Sequence, residues 1–250
     1  QTVTMLLLIL LPVAFLLPPG AGAGEIVGGH EARPHSRPYM AFLHISGGRV
    51  RTCGGFLVAE NFVLTAAHCQ GRNITVVLGA QNIKEQEPCQ QVSQVKRQIP
   101  HRSFNWENAN NDIMLLQLAR PARLNAFVKP VGLPRAGVTV SPGTVCSVAG
   151  WGLTNARKLS SEPSRLQETV VEVLSDQLCI ERNFNPATML CAGRREEGRN
   201  VAKGDSGGPL TCGGVAQGIV SWGRPLPPAM YTRVSTYSQW IQATIRELQA

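Results

Sequence analysis

Residues 204–210 read Gly204-Asp205-Ser206-Gly207-Gly208-Pro209-Leu210, a glycine-rich turn with one serine at its centre. Small residues on both sides of Ser206 let a carbonyl group approach its hydroxyl closely. The backbone N–H groups of Gly204 and Ser206 can converge on one point, as an oxyanion hole requires. This is the geometry that acyl transfer needs, but a serine hydroxyl becomes a nucleophile at neutral pH only beside a base.

Two motifs upstream of this turn offer the base and a group to orient it. Residues 65–69 (TAAHC) contain His68, and residues 110–118 (NNDIMLLQL) place Asp112 before an apolar strand. Taken singly, the three motifs have ordinary interpretations: a turn, a packed histidine and the end of a loop. Together they supply the nucleophile, base and orienting carboxylate of an activated serine.

These motifs, in the order His, Asp, Ser, resemble those of the trypsin/chymotrypsin family of serine peptidases. The resemblance runs from Ile26 to the C-terminus. It implies that Ser206 attacks a peptide carbonyl, that His68 accepts and returns the proton, and that Asp112 orients the imidazole. It also implies protein or peptide substrates, no cofactor, and an all-β fold of two packed six-stranded antiparallel barrels with a C-terminal α-helix.

Length and charge fit one such domain. A chain of 250 residues with 43% hydrophobic content can bury a sizeable core. The 24 Lys and Arg exceed the 16 Asp and Glu by eight, which indicates acidic partners such as sulfated glycans, anionic membranes or nucleic acid. Solubility or ionic storage would explain the same excess. There is no block of like charges and no nucleic-acid motif, so a specific nucleic-acid ligand is not expected.

The first 23 residues predict a secretory signal peptide. Residues 5–17 are apolar but too short to span a bilayer comfortably, and Ala21-Gly22-Ala23 is an A-x-A cleavage signal. The sequence begins at Gln1, so either the natural N-terminus precedes it or Met5 is the initiator. No later stretch is apolar enough to anchor the protein in a membrane. We therefore expect an exported, secreted protein without a membrane span.

Cleavage after Ala23 would leave Gly24-Glu25 as an activation dipeptide before a peptidase domain at residues 26–250. In the family, the amine freed at the start of the I-V-G-G run pairs with the aspartate beside the catalytic serine, which implies a pair between Ile26 and Asp205. A Gly-Glu propeptide resembles that of granule-stored immune peptidases, namely cathepsin G, mast-cell chymases and granzymes, with cathepsin G the most similar. It implies an activating dipeptidyl peptidase, leukocyte or mast-cell secretory granules, a role in immune defence and serpin-type inhibitors.

Seven cysteines in an exported chain predict a disulfide framework with one residue left over. Spacing alone leaves the connectivity open. In the pairing that the resemblance implies, Cys89 is left unpaired, which departs from the usual family pattern and indicates either a free thiol or an intermolecular bridge. The resemblance implies three bridges: Cys53–Cys69, Cys146–Cys212 and Cys179–Cys191.

The resemblance also locates the substrate pocket. Counting back six residues from Ser206 puts Asn200 at its base, followed by Val201, with Ala229 at the far wall. Cleavage after Arg would need a carboxylate at the base, cleavage after Asp a basic wall residue, and cleavage after Lys an acidic one. None of these charges is present, so we expect a broad preference for Phe, Tyr, Leu or Met.

Two further features surround this pocket. Lys203 lies at the rim, where it either favours acidic residues in neighbouring substrate positions or is only a solvated side chain. Ser221-Trp222-Gly223 resembles the family's edge strand, which pairs with the substrate backbone by β-augmentation, and Gly223 would leave the pocket mouth open.

The remaining chain predicts short strands and one helix. Apolar or β-branched runs bounded by turn residues predict strands at 42–45, 75–78, 113–118, 145–149, 169–173 and 215–221. Helical spacing near the C-terminus predicts a helix whose apolar stripe faces the body, with Ser235 or Thr236 as its cap; the stripe comprises Tyr237, Trp240, Ile241, Thr244, Ile245 and Leu248.

The other motifs carry weaker predictions. Asn73-Ile74-Thr75 is an N-x-[ST] sequon and predicts a glycan on Asn73. Four histidines have no cysteine or acidic cluster at ligand spacing, so no metal site is expected; they are His30, His35, His44 and His101.

Two alternative functions remain beside the peptidase. One is a cationic antimicrobial or glycosaminoglycan-binding protein on a peptidase scaffold, with incidental catalysis. The intact triad argues against lost catalysis, whereas basicity does not discriminate, because acidic proteoglycan or heparin would also store an active enzyme. The other is a regulatory peptidase of the factor D kind, against which the Gly-Glu propeptide argues.

Overall fold

The computed structural model describes residues 29–48, 50–152, 163–179, 183–193, 205–221 and 228–249. Within these ranges the chain forms short antiparallel strands and a single α-helix near the C-terminus. Their bounds are β1 (His30–Glu31), β2 (Met40–Ser46), β3 (Arg51–Ala59), β4 (Phe62–Thr65), β5 (Asn73–Leu78), β6 (Gln91–Pro100), β7 (Met114–Leu118), β8 (Val145–Gly150), β9 (Gln167–Val173), β10 (Met189–Gly193), β11 (Pro209–Cys212), β12 (Val215–Val220), β13 (Ala229–Arg233) and α1 (Ser238–Gln249).

The strands close into two barrels, which confirms the predicted fold. The first barrel has the order β2-β3-β4-β7-β6-β5. In the second, the order β9-β10-β13-β12-β11-β8 closes because β8 also pairs with β9. The short β1 adds to the edge of β9, so this sheet has seven strands in all. The six predicted strands all coincide with observed ones, and no bound is shifted by more than two residues.

Alternating burial explains why these segments are strands. Residues of β5 alternate between buried and more exposed positions, as do those of β9, so one face of each strand is directed into its barrel. The first barrel has Phe56, Phe62 and Leu64 in its core, and Tyr231 is among the fully buried side chains of the second.

The C-terminal helix packs against the apolar cluster of the first barrel. Ile241 is fully buried in that cluster, and Trp240, Ile245 and Leu248 pack partly buried beside it. The predicted α-helical cap at Ser235 or Thr236 is wrong, because both residues lie in a preceding 3-10 turn, Val234–Tyr237. The Thr236 hydroxyl donates to Ala187 O at 2.7 Å. None of the helices in the described ranges is long and apolar enough to cross a membrane.

Candidate active site

Asp112 and His68 are joined by two hydrogen bonds. The His68 backbone N–H donates to Asp112 Oδ1 at 2.9 Å, and the His68 ring contacts Asp112 Oδ2 through Nδ1 at 2.7 Å. Asp112 is fully buried two residues before β7, whereas the His68 side chain keeps 27% of its surface exposed. The carboxylate therefore fixes both the backbone and the ring of the histidine, and it occupies Nδ1.

His68 lies in a 3-10 turn, Ala67–Cys69, that follows β4. The Cys53–Cys69 disulfide ties this turn to β3. The histidine is thus held from two directions, by a covalent bridge through its neighbour and by the Asp112 carboxylate.

The second barrel contributes to holding Asp112. The Ser221 hydroxyl donates to Asp112 Oδ2 at 2.5 Å, and the Thr232 hydroxyl donates to the Asp112 backbone oxygen at 2.7 Å. Sequence reasoning placed Ser221 in the substrate pocket and missed both contacts. Because these serine and threonine residues lie more than 100 positions from Asp112, no local pattern marks them as its partners.

The turn that carries Ser206 lies between the barrels. Gly54 of β3 donates its N–H to Ser206 O at 2.7 Å, and Gly207 donates to Val220 O at the end of β12 at 2.8 Å. Within the turn, Gly208 donates to Asp205 O at 2.9 Å. No hydrogen bond joins the Ser206 hydroxyl to His68 in the described part of the chain. Contacts between nucleophile and base are often long in structures without substrate.

Two separate features require glycine at position 207, its backbone conformation and the close approach of neighbouring atoms. Comparison with Gly213 separates them. Its φ is +84°, and a β-carbon there would overlap Thr65 Oγ1 and Gly54 O. Gly213, between β11 and β12, also has a positive φ of +57°, but a β-carbon there meets nothing within 4 Å. A Gly213→Ala variant therefore measures only the cost of the left-handed backbone conformation.

We expect Gly207→Ala to destabilise the protein more than Gly213→Ala does. The left-handed conformation costs an alanine about 1–2 kcal/mol at either position, and only Gly207→Ala adds the overlap between the barrels. Urea unfolding of both variants measures the difference in the free energy of unfolding. Equal losses would show that the close approach at Gly207 contributes nothing.

Asp205 is a buried carboxylate beside the serine, only 1% exposed. Gly152 donates its backbone N–H to Asp205 Oδ1 at 2.9 Å. A β-carbon at Gly152 would lie 2.6 Å from that carboxylate, so this approach depends on glycine. Ile26, the expected partner of Asp205 after processing, lies outside the described residues.

The substrate pocket is described only in part. Ala229 is fully buried at the start of β13, opposite Ala192 of β10. Ser221 donates its backbone N–H to Met230 O at 3.1 Å. The remaining pocket and oxyanion residues lie outside the described ranges: Asn200, Val201, Lys203, Gly204, Trp222 and Gly223.

The cysteines form the three pairs that the resemblance implies, Cys53–Cys69, Cys146–Cys212 and Cys179–Cys191. Among the described residues Cys89 is the free cysteine, with Sγ 3.3 Å from Gly79 O and 3.9 Å from His35 Nε2. Burial raises the pKa of this thiol, and the nearby Glu87 raises it further.

One group of metal-ligating side chains occurs in the described ranges, formed by Cys53, His68 and Cys69. Its two sulfur atoms are bonded to each other, so they are not thiolate ligands.

Comparisons with known proteins agree with this geometry. The model of the Trypsin family matches residues 26–241. Duodenase-1 of Bos taurus is 53% identical, over 96% of this chain and 97% of its own length. Human granzyme B is 52% identical (95% and 98% covered), and human cathepsin G is 50% identical (96% and 95% covered). A solved structure described as "Structure of GrC" superposes with a TM-score of 0.82 at 42% identity, covering 88% of this chain and 99% of that one.

These identities lie close together, so they confirm the predicted subfamily without singling out cathepsin G. A family match over residues 26–241 and relatives about half identical over nearly the whole length lead to one conclusion. The chain belongs to the trypsin family of serine peptidases, in the subfamily of cathepsin G and the granzymes, and it is a serine endopeptidase that acts on protein substrates.

Proposed function

We propose that the chain cleaves peptide bonds after large uncharged residues, by means of a triad of Ser206, His68 and Asp112. The observation that carries the triad is the pair of hydrogen bonds from His68 to the buried Asp112 carboxylate. Because Asp112 occupies Nδ1, the ring has Nε2 left to exchange a proton with the nucleophile and the leaving group.

The catalytic cycle follows from these positions. Ser206 attacks the scissile carbonyl while His68 takes its proton, and the N–H groups of Gly204 and Ser206 stabilise the oxyanion. His68 then protonates the leaving amine, which departs and leaves an acyl-enzyme on Ser206. Water attacks this ester with His68 again as base, and the second intermediate collapses to the acid as His68 returns the proton to the departing Ser206 oxygen. Throughout, Asp112 stabilises the imidazolium form of His68.

The preference for uncharged residues is supported by the pocket composition. The buried Ala229 brings no charge to the wall, and Asn200 brings none to the base. An apolar pocket separates side chains by only about 1–3 kcal/mol per methylene-sized change, so Phe, Tyr, Leu and Met should all be accepted. Lys203 at the rim would add a preference for acidic residues at neighbouring substrate positions.

Maturation of the protein is part of the proposal. A signal peptide at residues 1–23 and an activation dipeptide at 24–25 precede the peptidase domain at 26–250. A dipeptidyl peptidase would free the Ile26 amine, which then pairs with the buried Asp205 carboxylate. Such a pair forms only after processing, so it makes activity conditional on cleavage.

The net charge of +8 supports storage on an acidic proteoglycan such as heparin. The similarity to human granzyme B and cathepsin G supports storage in a leukocyte or mast-cell secretory granule before release, and inhibition by serpins. Asn73 is exposed at the start of β5, where a glycan would project into solvent.

The test is a panel of chromogenic peptides that differ only in the residue before the scissile bond, assayed with protein that begins at Ile26. We expect turnover after Phe, Tyr, Leu and Met, and little after Arg, Lys or Asp. The control is the same protein with Gly24-Glu25 retained, which should be inactive.

Other outcomes contradict separate parts of the proposal. Preferred turnover after Arg or Asp would overturn the assignment of Asn200 and Ala229. Absence of turnover with every peptide, in protein whose Ile26 amine is shown to be free, would overturn the triad. It would favour the second candidate, a cationic antimicrobial or glycosaminoglycan-binding protein, which the net charge supports.

A further inference from the structure

We propose that Tyr237 is a positioning residue for catalysis, whose hydroxyl holds Asn111 and thereby the backbone turn that directs the Asp112 carboxylate at His68. This inference rests on the triad proposed above. It assigns a role in the reaction to a side chain 125 positions away from Asp112, in the 3-10 turn before the C-terminal helix.

The backbone around Asp112 is unusual. Asn111 has a φ of +58°, in the left-handed region, and Ile113 N donates to Asn111 O at 2.9 Å. This bond closes a three-residue turn with Asp112 at its centre. Asparagine tolerates the left-handed conformation better than most residues but less freely than glycine, so contacts of the Asn111 side chain help to hold this turn.

Both ends of the Asn111 amide are held. Its Oδ1 accepts a hydrogen bond from the Tyr237 hydroxyl at 2.8 Å, and its Nδ2 donates to Ser103 O at 2.8 Å. Reversing the amide would bring its oxygen against the Ser103 carbonyl, which cannot donate. The side chain is therefore fixed between the second half of the chain and the loop that precedes Asp112.

Tyr237 is itself immobilised. It is 4% exposed and belongs to the apolar cluster of the first barrel, and its ring lies 5.2 Å from that of His101, edge to face. Burial raises the pKa of Tyr237, and the nearby Asp112 raises it further. The phenol thus remains a protonated donor at neutral and moderately alkaline pH.

Tyr237 completes a set of three hydroxyl donors that follow or belong to strands of the second barrel. Ser221 donates to Asp112 Oδ2, Thr232 to Asp112 O, and Tyr237 to Asn111 Oδ1. The first two bonds hold Asp112 itself, but they do not set the conformation of the residue before it. Tyr237 does so, and a displaced turn would tilt the carboxylate relative to the two N–H groups of His68.

The experiment compares Tyr237→Phe with Thr236→Val in protein that begins at Ile26. Each variant removes one hydroxyl from the same 3-10 turn while keeping the shape of the side chain. Thr236 donates to Ala187 O at 2.7 Å, not to the Asp112 segment. We expect Tyr237→Phe to lower kcat about three- to tenfold, in proportion to one lost hydrogen bond, with KM unchanged, and Thr236→Val to leave both constants unchanged.

A double-mutant cycle tests the route through Asn111. Asn111→Gly keeps the left-handed backbone but removes the acceptor of the Tyr237 hydroxyl. If Tyr237 acts through this side chain, the double variant Tyr237→Phe/Asn111→Gly loses no more kcat than Asn111→Gly alone. Full additivity of the two losses would overturn the route.

A second readout does not require turnover. Proton NMR follows the His68 Nδ1–H resonance, identified by its absence in His68→Ala. We expect this proton to exchange faster with water in Tyr237→Phe and to be unaffected in Thr236→Val. Unchanged exchange together with unchanged kcat in Tyr237→Phe would overturn the inference. An inactive parent protein would instead contradict the triad. Exchange of the His68 Nδ1–H proton would still show whether the Tyr237 hydroxyl holds the Asp112 carboxylate against His68.

Discussion

Replacement of Ser206 by alanine is expected to lower kcat by about 10⁶-fold, the loss typical of removing a serine nucleophile. The turn around Ser206 should survive, because its hydrogen bonds to Gly54, Val220 and Asp205 are all made by backbone atoms. The KM for the peptide should therefore stay within the range of the parent enzyme. Steady-state hydrolysis of a Phe peptide by protein beginning at Ile26 measures both constants.

A matched control is Ser238→Ala. The Ser238 hydroxyl is buried and donates to Pro134 O at 2.8 Å, and it lies at the start of α1 with no contact to His68 or Asp112. Its loss should cost about 1 kcal/mol of folding stability and leave kcat unchanged. A Ser206→Ala enzyme that retains more than about one hundredth of kcat would exclude Ser206 as the nucleophile, since the expected loss is far larger.

Replacement of Asp112 by asparagine is expected to lower kcat by about 10⁴-fold, the loss that the same change causes in the family's reference triad. The physical reason is the number of hydrogen-bond donors that face the Asp112 side chain. The two carboxylate oxygens accept three hydrogen bonds, two from His68 and one from Ser221. An amide has only one oxygen, so its NH₂ group faces either the His68 backbone N–H or the His68 ring and Ser221. Facing the ring, it donates only to an unprotonated Nδ1, which is the wrong tautomer of His68.

Hydrolysis of the same peptide measures this loss. The control is Asp176→Asn, because the Asp176 side chain is 56% exposed and its contact with Arg233 is 3.9 Å long. An exposed pair of this kind contributes about 0–1 kcal/mol, so activity should be unchanged. If Asp112→Asn kept kcat within tenfold of the parent, orientation of His68 by this carboxylate would not be limiting.

The strands and the triad motifs can be predicted from the sequence because each is defined by residues close together in the chain. Runs such as residues 75–78 and 169–173 alternate in hydrophobicity, and the structure places strands at both. The motifs around His68, Asp112 and Ser206 owe their recognition to short spacings combined with a known order. Such patterns depend only on residues close together in sequence, so they can be recognised without knowledge of the tertiary structure.

The supports of Asp112 were not accessible, because they are formed by the meeting of distant segments. Ser221 was assigned to the pocket from its neighbours, yet its hydroxyl donates to a carboxylate 109 positions away. Likewise, an α-helical cap was expected at Ser235 or Thr236, but the structure has a 3-10 turn there. Tertiary contacts of Thr236 and Tyr237 replace the local capping bond.

The contact between the C-terminal helix and the first barrel has a consequence for synthesis. Ile241 is buried in the same apolar cluster as Phe56 and Leu64, so one core contains residues from near both ends of the domain. During translation the N-terminal strands emerge first, but they cannot complete this core until residues 237–248 have left the ribosome. The nascent first barrel therefore has apolar surface exposed until the C-terminal helix packs against it, and in the finished protein loss of the helix should destabilise the first barrel.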